Sequence, residues 1–151
     1  MFASILAVVA TLAGALTAGL IQARIARSAR TATRADNHRR EAVAAVTDLA
    51  VALSDHRTSM YKVGQARFIG ADDSRIQELR DAAHTTRSAI TAPAVRVQLL
   101  APGLHDAAVT ATLATYAMRH PATEEALDDS RRHALATHDE LVYSASQALA
   151  A

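Results

Sequence analysis

Apolar positions follow two different patterns along this chain. Residues 2–21, FASILAVVATLAGALTAGLI, run for twenty residues without a charge. Beyond residue 38 the apolar residues instead recur every three to four positions, the spacing of amphipathic helices. Val46, Leu49, Leu53, Met60 and Val63 form one such seam, with His56 completing a heptad pattern of the coiled-coil kind. The run Gly70-Ala71-Asp72-Asp73 predicts its end, and Ser74 with Gln77 three residues on predicts a capped second helix. Ile76, Leu79, Ala83, Thr86 and Ile90 line one face of that helix up to Pro93. Residues 95–99 alternate like a strand between Pro93 and Pro102, but a lone strand has no partner among helices, so 93–102 reads as a short helix. A third helix after Gly103 uses Val109, Leu113, Tyr116 and Ala117. The last begins at Pro121 and carries two lines, Leu127–Ala134–Leu141 and Leu135–Val142–Leu149. The body is thus expected to be an antiparallel bundle of three to four helices.

The first twenty residues predict a different environment. At 1.5 Å per residue they cover about 30 Å, the hydrocarbon thickness of a bilayer. Nine are Phe, Ile, Leu or Val. Together these favour insertion by roughly 3 to 5 kcal/mol, part of which the Ser, Thr and Gly residues give back. Two rivals fit less well. A cleaved signal peptide wants a positive n-region and few charges downstream, and here four Arg follow within residues 24–34. A core helix would show a polar face. The expected organisation is a transmembrane anchor over 1–22, a basic juxtamembrane helix over 23–41 and a helical bundle over 42–151. The all-α chain would place its N-terminus outside and its body in the cytoplasm, as positive residues on the inner side require. No Pro or Gly interrupts 20–63, so anchor and first body helix read as one rod, with Asp36–Asn37 the candidate break.

Within the span, Ala10, Gly14 and Ala18 repeat at i+4, a small-residue line that lets membrane helices approach closely and self-associate. An Ala-rich segment also produces such lines by composition alone. Behind the span, Arg24, Arg27, Arg30 and Arg34 fall within about 120° of a helix circumference. Anionic lipid is the expected contact of this stripe, at about 1 kcal/mol per Arg near the surface. Counting from Ile21, a perpendicular helix puts Arg24 and Arg27 about 5 and 9 Å out and Arg34 about 20 Å out. With a screening length of about 8 Å, the first two feel the lipid most. A solvated topology signal is the plainer reading. Contact with nucleic acid is disfavoured, since no aromatic platform or DNA-binding motif accompanies the stripe.

Composition narrows the chemistry. Roughly a quarter of the 151 residues are Ala and only 3% are aromatic, so the core must come from close helix packing. Cysteine is absent, which removes disulfides and thiolate metal sites. The net charge of +1 conceals +4 over residues 22–41 and −3 elsewhere. The five glycines form neither a P-loop nor a dinucleotide fingerprint, and no G-x-S-x-G or H-E-x-x-H occurs. Of seven His, His133 and His138 are five apart, about 140° around a helix, and the others are scattered. No catalytic, cofactor or metal residues are expected, and the chain does not read as an enzyme. The acids Glu124, Glu125, Asp128 and Asp129 complement the dipole of the last helix.

The stretches LAVVATLAGALTAGLIQARIARSAR, RREAVAAVTDLAVALSDHRTSMY and HTTRSAITAPAVRVQLLAP together resemble KilB-like proteins of conjugative plasmids and integrated elements of Streptomyces-type actinomycetes. RSAITAP and VQLLAP are the most distinctive pieces. The resemblance implies a small membrane-associated protein that helps a plasmid spread within the recipient mycelium and is toxic to growth when unregulated. It implies no catalytic residues. The expected function is therefore a membrane-anchored interaction or scaffold protein, homo-oligomeric, whose bundle docks other spread or DNA-transfer membrane proteins. The alternatives are a membrane-tethered adaptor or sensor unrelated to plasmids, or an exported helical binding domain after signal cleavage.

Overall fold

A computed structural model describes the backbone over residues 2–150, with the side chains of residues 2–21, 23, 25 and 26 outside the description. Its elements are α1 (Phe2–Phe68), α2 (Asp73–Leu100), a 3₁₀ turn (Pro102–Leu104), α3 (His105–Ala117) and α4 (Glu124–Leu149). The described residues are all helix and connection, as the periodicity predicts. Two compact units divide the chain, residues 1–38 and residues 39–151. Among the described residues no helix is long and apolar enough to cross a membrane. The apolar side chains of 2–21, including Ala10, Gly14 and Ala18, lie outside them.

Local chemistry sets each boundary. Residues 36 and 37 lie inside α1, so the candidate break there is not used. α1 stops at Gly70, whose φ of 69° only glycine adopts freely. Around it the Gly70 N–H donates to the Arg67 carbonyl at 3.2 Å and the Ala71 N–H to the Ala66 carbonyl at 2.9 Å. That pair of bonds satisfies the last carbonyls of the helix. α2 is capped by Asp72 rather than by Ser74: the Asp72 carboxylate accepts from the Arg75 N–H at 2.8 Å and from the Ser74 hydroxyl at 2.6 Å. Both bonds hold its pKa below the usual carboxylate value, the hydroxyl contributing most. α4 starts at Glu124 and not at Pro121, because the extended Thr123 caps it through a bond from the Ala126 N–H at 3.1 Å.

The separate short helix expected over 93–102 does not exist. α2 runs through Pro93 to Leu100. An internal proline costs about 3 kcal/mol. Against it stands a line of seven-residue spacing, Ala83, Ile90 and Val97, buried on both sides of Pro93. Ending the helix at Pro93 would strip Val97 from that line. Val95 and Leu99, which suggested a strand, point outward from the helix at 50% and 73% exposure.

Polar pairs across the body give the register. Arg39, Ala50 and Tyr61 of α1 meet Leu149, His138 and Asp128 of α4, and Asp48 and His56 meet Arg96 and Thr86 of α2. α1 is therefore antiparallel to both. The expected seams are buried where predicted: Val46, Leu49, Leu53, His56 and Val63 on α1, Leu127, Ala134 and Leu141 on α4. The heptad pattern of α1 is consumed inside this bundle. Leu135 and Leu149 are half-buried, whereas Val142 is exposed.

α3 corrects the sequence reading. Its buried face is Ala108, Ala111, Ala114 and Thr115, continued by Met118 beyond its end, while Val109 and Leu113 are 41% and 61% exposed. Small residues permit a closer helix approach than bulky ones, so the alanines take the interface. Close approach also explains Gly64, where an added Cβ would lie 2.6 Å from Leu127 Cδ2.

Candidate functional site

The four stripe arginines, Arg24, Arg27, Arg30 and Arg34, are all exposed. Nearby hydroxyls are satisfied within the helix: Thr31 donates to the Arg27 carbonyl at 3.0 Å and Thr33 to the Ala29 carbonyl at 2.9 Å.

A second basic feature lies in the body and was not visible as a motif. α1 presents His56, Met60, Val63 and Arg67 on one face, at spacings of four, three and four. α2 presents Arg80, Ala83, His84 and Arg87 at three, one and three. Tyr116 of α3 and the following Arg119 and His120 close the third side. Between them is a cavity of ≈ 300 Å³. Four of its lining residues are arginine and three are histidine. None is acidic. His56, Val63 and Ala83 are buried and make the floor, and Arg80, His84, Arg119 and His120 are exposed at the rim.

Contacts order the floor. The Thr86 hydroxyl donates to the Ala83 carbonyl at 3.0 Å, leaving its oxygen to accept from His56 Nδ1–H at 3.0 Å. His56 meets the Tyr116 ring edge-on with centroids 5.7 Å apart, and the Arg87 guanidinium sits 4.5 Å over the same ring. Burial, the Arg87 charge and the nearby His84 push the His56 pKa down to about 4, against a stabilising bond to the Ala83 carbonyl. His56 is therefore neutral at pH 7. No ion pair engages Arg67, Arg80, Arg87 or Arg119 among the described residues.

A separate polar seam joins α1 to α4. The Tyr61 hydroxyl donates to Asp128 at 2.9 Å, which raises its pKa, and Arg131 lies 4.6 Å over the Tyr61 ring. Arg57 donates to the Ser54 hydroxyl at 3.1 Å, and its other terminal nitrogen is buried without a partner. Burial and the neighbouring Arg131 lower the Arg57 pKa, with Asp139 opposing them. Among the described residues no group of His, Asp and Glu could hold a metal ion.

The stripe is legible in the sequence, because Arg24, Arg27, Arg30 and Arg34 recur every three to four residues within one helix. The cavity is not, since its charges come from three separate elements. The available signal was the helical spacing of Arg80, His84 and Arg87 beside the buried line of α2. The chemistry on offer is attraction and orientation of an anion, with no nucleophile paired to a base along the lining.

These features define a small all-helical protein, with an arginine-bearing segment ahead of a compact bundle. Residues 43–149 match the family model described as KilB plasmid transfer protein. The chain is 43% identical over 147 residues to Protein KilB of Streptomyces lividans, a likeness covering 97% of each chain. The chain belongs to the KilB family. No solved structure matches it.

Proposed function

We propose that this chain is a membrane-anchored, non-enzymatic interaction protein of plasmid transfer. Its bundle would dock other spread or DNA-transfer membrane proteins, and its N-terminal segment would hold it in the bilayer as a homo-oligomer. The observation that carries the plasmid-transfer part is the family match across the whole bundle, residues 43–149. Support for anchoring comes from the uncharged residues 2–21 followed by the exposed Arg24, Arg27, Arg30 and Arg34. In this reading residues 1–22 span the membrane with the N-terminus outside, residues 23–41 meet the inner lipid surface, and the body stays in the cytoplasm.

Two measurements test the two parts. Deleting the gene from a transfer-competent plasmid should shrink the pocks formed on a recipient lawn, with restoration by a wild-type copy in trans. Unchanged pocks would refute the transfer role. Membrane fractionation with protease should leave the body uncut in intact protoplasts and digest it in inverted vesicles. Recovery of full-length protein in the medium would refute the anchor.

A further inference from the structure

The arginine–histidine cavity of the body has no place in the docking role. Its volume of ≈ 300 Å³ sits at the lower end of the range typical of small-molecule sites, which begins at roughly 300 Å³. Arg67 comes from α1, Arg80 and Arg87 from α2 and Arg119 from beyond α3, so positive charge faces the space from three sides. Like charges without a counter-charge repel one another and weaken the fold that gathers them. Exposed arginines on a bundle ordinarily lean toward a carboxylate, as Arg75 does with Glu78 and Arg96 with Asp48. The cavity arginines have no such partner. Guanidinium groups bind phosphate through paired, charge-assisted bonds, which suits four of them gathered around one small space.

We propose that this cavity binds a small ligand carrying two neighbouring phosphates, gripped by Arg67, Arg80, Arg87 and Arg119 above a floor of His56, Val63 and Ala83. A single monoanion would leave most of the four charges uncompensated. Two adjacent phosphates supply close to the required charge and fit the space. Duplex nucleic acid fits poorly, because its convex backbone cannot reach the buried His56, Val63 and Ala83. The one phenol ring in the lining, Tyr116, already has Arg87 over its face, which leaves single strands no large ring to stack on. The site stands independently of the plasmid-transfer reading.

The test is calorimetric titration of the full chain in neutral detergent with inorganic pyrophosphate at constant ionic strength. Saturable binding is expected. Replacing both exposed rim residues, Arg80→Gln and Arg119→Gln, should weaken it at least about tenfold per arginine, the loss of a charge-assisted bond. Arg132→Gln, an exposed arginine of α4 outside the cavity, should leave it unchanged. On the wild-type chain, pyrophosphate should shift the ring NMR signals of His56, His84 and His120 and leave those of His105 and His133 in place. ADP binding more tightly than pyrophosphate assigns the site to a nucleotide, and weaker ADP binding assigns it to the bare diphosphate. Absence of saturation, equal affinity in the double variant, equal loss in Arg132→Gln, or duplex DNA that pyrophosphate cannot displace would each overturn the proposal.

Discussion

Gly64 gives the sharpest mutational test of how the bundle is packed. An alanine there would bring its Cβ to 2.6 Å and 2.9 Å from the two methyl carbons of Leu127 and 3.3 Å from its Cγ. Leu127 is fully buried, so its methyls have little room to retreat. Overpacking of this kind costs about 1–3 kcal/mol. Helix propensity pulls the other way, because alanine is better than glycine inside a helix by about 1 kcal/mol. Gly64→Ala in the wild type should therefore be destabilising by up to about 2 kcal/mol. Leu127→Ala alone should cost about 2–5 kcal/mol through the cavity it opens. Once Leu127 is truncated the clash disappears, and only the propensity gain and some cavity filling remain. In that background Gly64→Ala should stabilise, by about 1 kcal/mol. The prediction is a change of sign, read as a double-mutant cycle from urea unfolding followed by circular dichroism. Equal effects of Gly64→Ala in both backgrounds would refute the close packing of α1 on α4 at this point.

His56 sets a pH dependence whose sign can be worked out. Its native pKa of about 4 lies below the unfolded value of 6.5, so the unfolded chain binds the proton first. Stability is then fully present above pH 6.5 and falls as pH drops toward 4, by about 3 kcal/mol at most. The charged or titratable groups facing it are Arg87 and His84 of α2 and Tyr116 of α3. His56→Gln should flatten the slope between pH 7 and pH 4.5 relative to wild type in parallel urea titrations, and an identical slope would contradict the assignment. Thr123→Ala should lower stability by about 1 kcal/mol through loss of the α4 cap, with Thr123→Asp retaining it. Charge reversal at Arg24 and Arg27 should disturb membrane orientation more than reversal at Arg34, scored by protease accessibility; equal effects would contradict the distance dependence. Gly14→Leu should weaken cross-linked oligomers in membranes, and an unchanged ladder would make the small-residue line a matter of composition.

The helical class and most of the buried seams were legible in the sequence for one physical reason. Large apolar residues at helical spacing, such as Leu49, Leu53, Leu127 and Leu141, can be buried on one side only. The same logic failed on α3. There Val109 and Leu113 suggested the core face, but alanines allow the closest packing, and the interface went to Ala108, Ala111 and Ala114. Pro93 misled in the opposite sense, because a local rule about helix endings was overridden by burial of Ile90 and Val97 on one face. The two caps were misplaced by two or three residues, since Ser74 and Pro121 are adequate signals and Asp72 and Thr123 proved stronger ones. The KilB resemblance rested on soft motifs yet matched the family that the bundle belongs to. The cavity was illegible because charge gathered from three elements has no signature within any one of them.

Helix lengths explain why the cavity exists where it does. α2 has 28 residues and α3 only 13, about 42 Å against about 20 Å of rise. α3 starts beside the end of α2 and returns along it antiparallel, so it runs out near Tyr116, level with Arg87 and His56. The half of α2 that carries Arg80 and His84 lies beyond that point. A longer α3 would have covered this half, and apolar residues there would have extended the core. The sequence instead turns away through Met118–Pro121 and places arginines and histidines on the uncovered faces. A gap left by a short helix is common; a gap lined by arginines from α1, α2 and the segment after α3, with no acid among them, is not the outcome that stability alone favours. Lengthening α3 by one turn, with four alanines inserted after Ala117, should push chain into this space. That variant should lose pyrophosphate binding while keeping its helix content by circular dichroism. Retained binding would show that the cavity does not depend on where α3 stops.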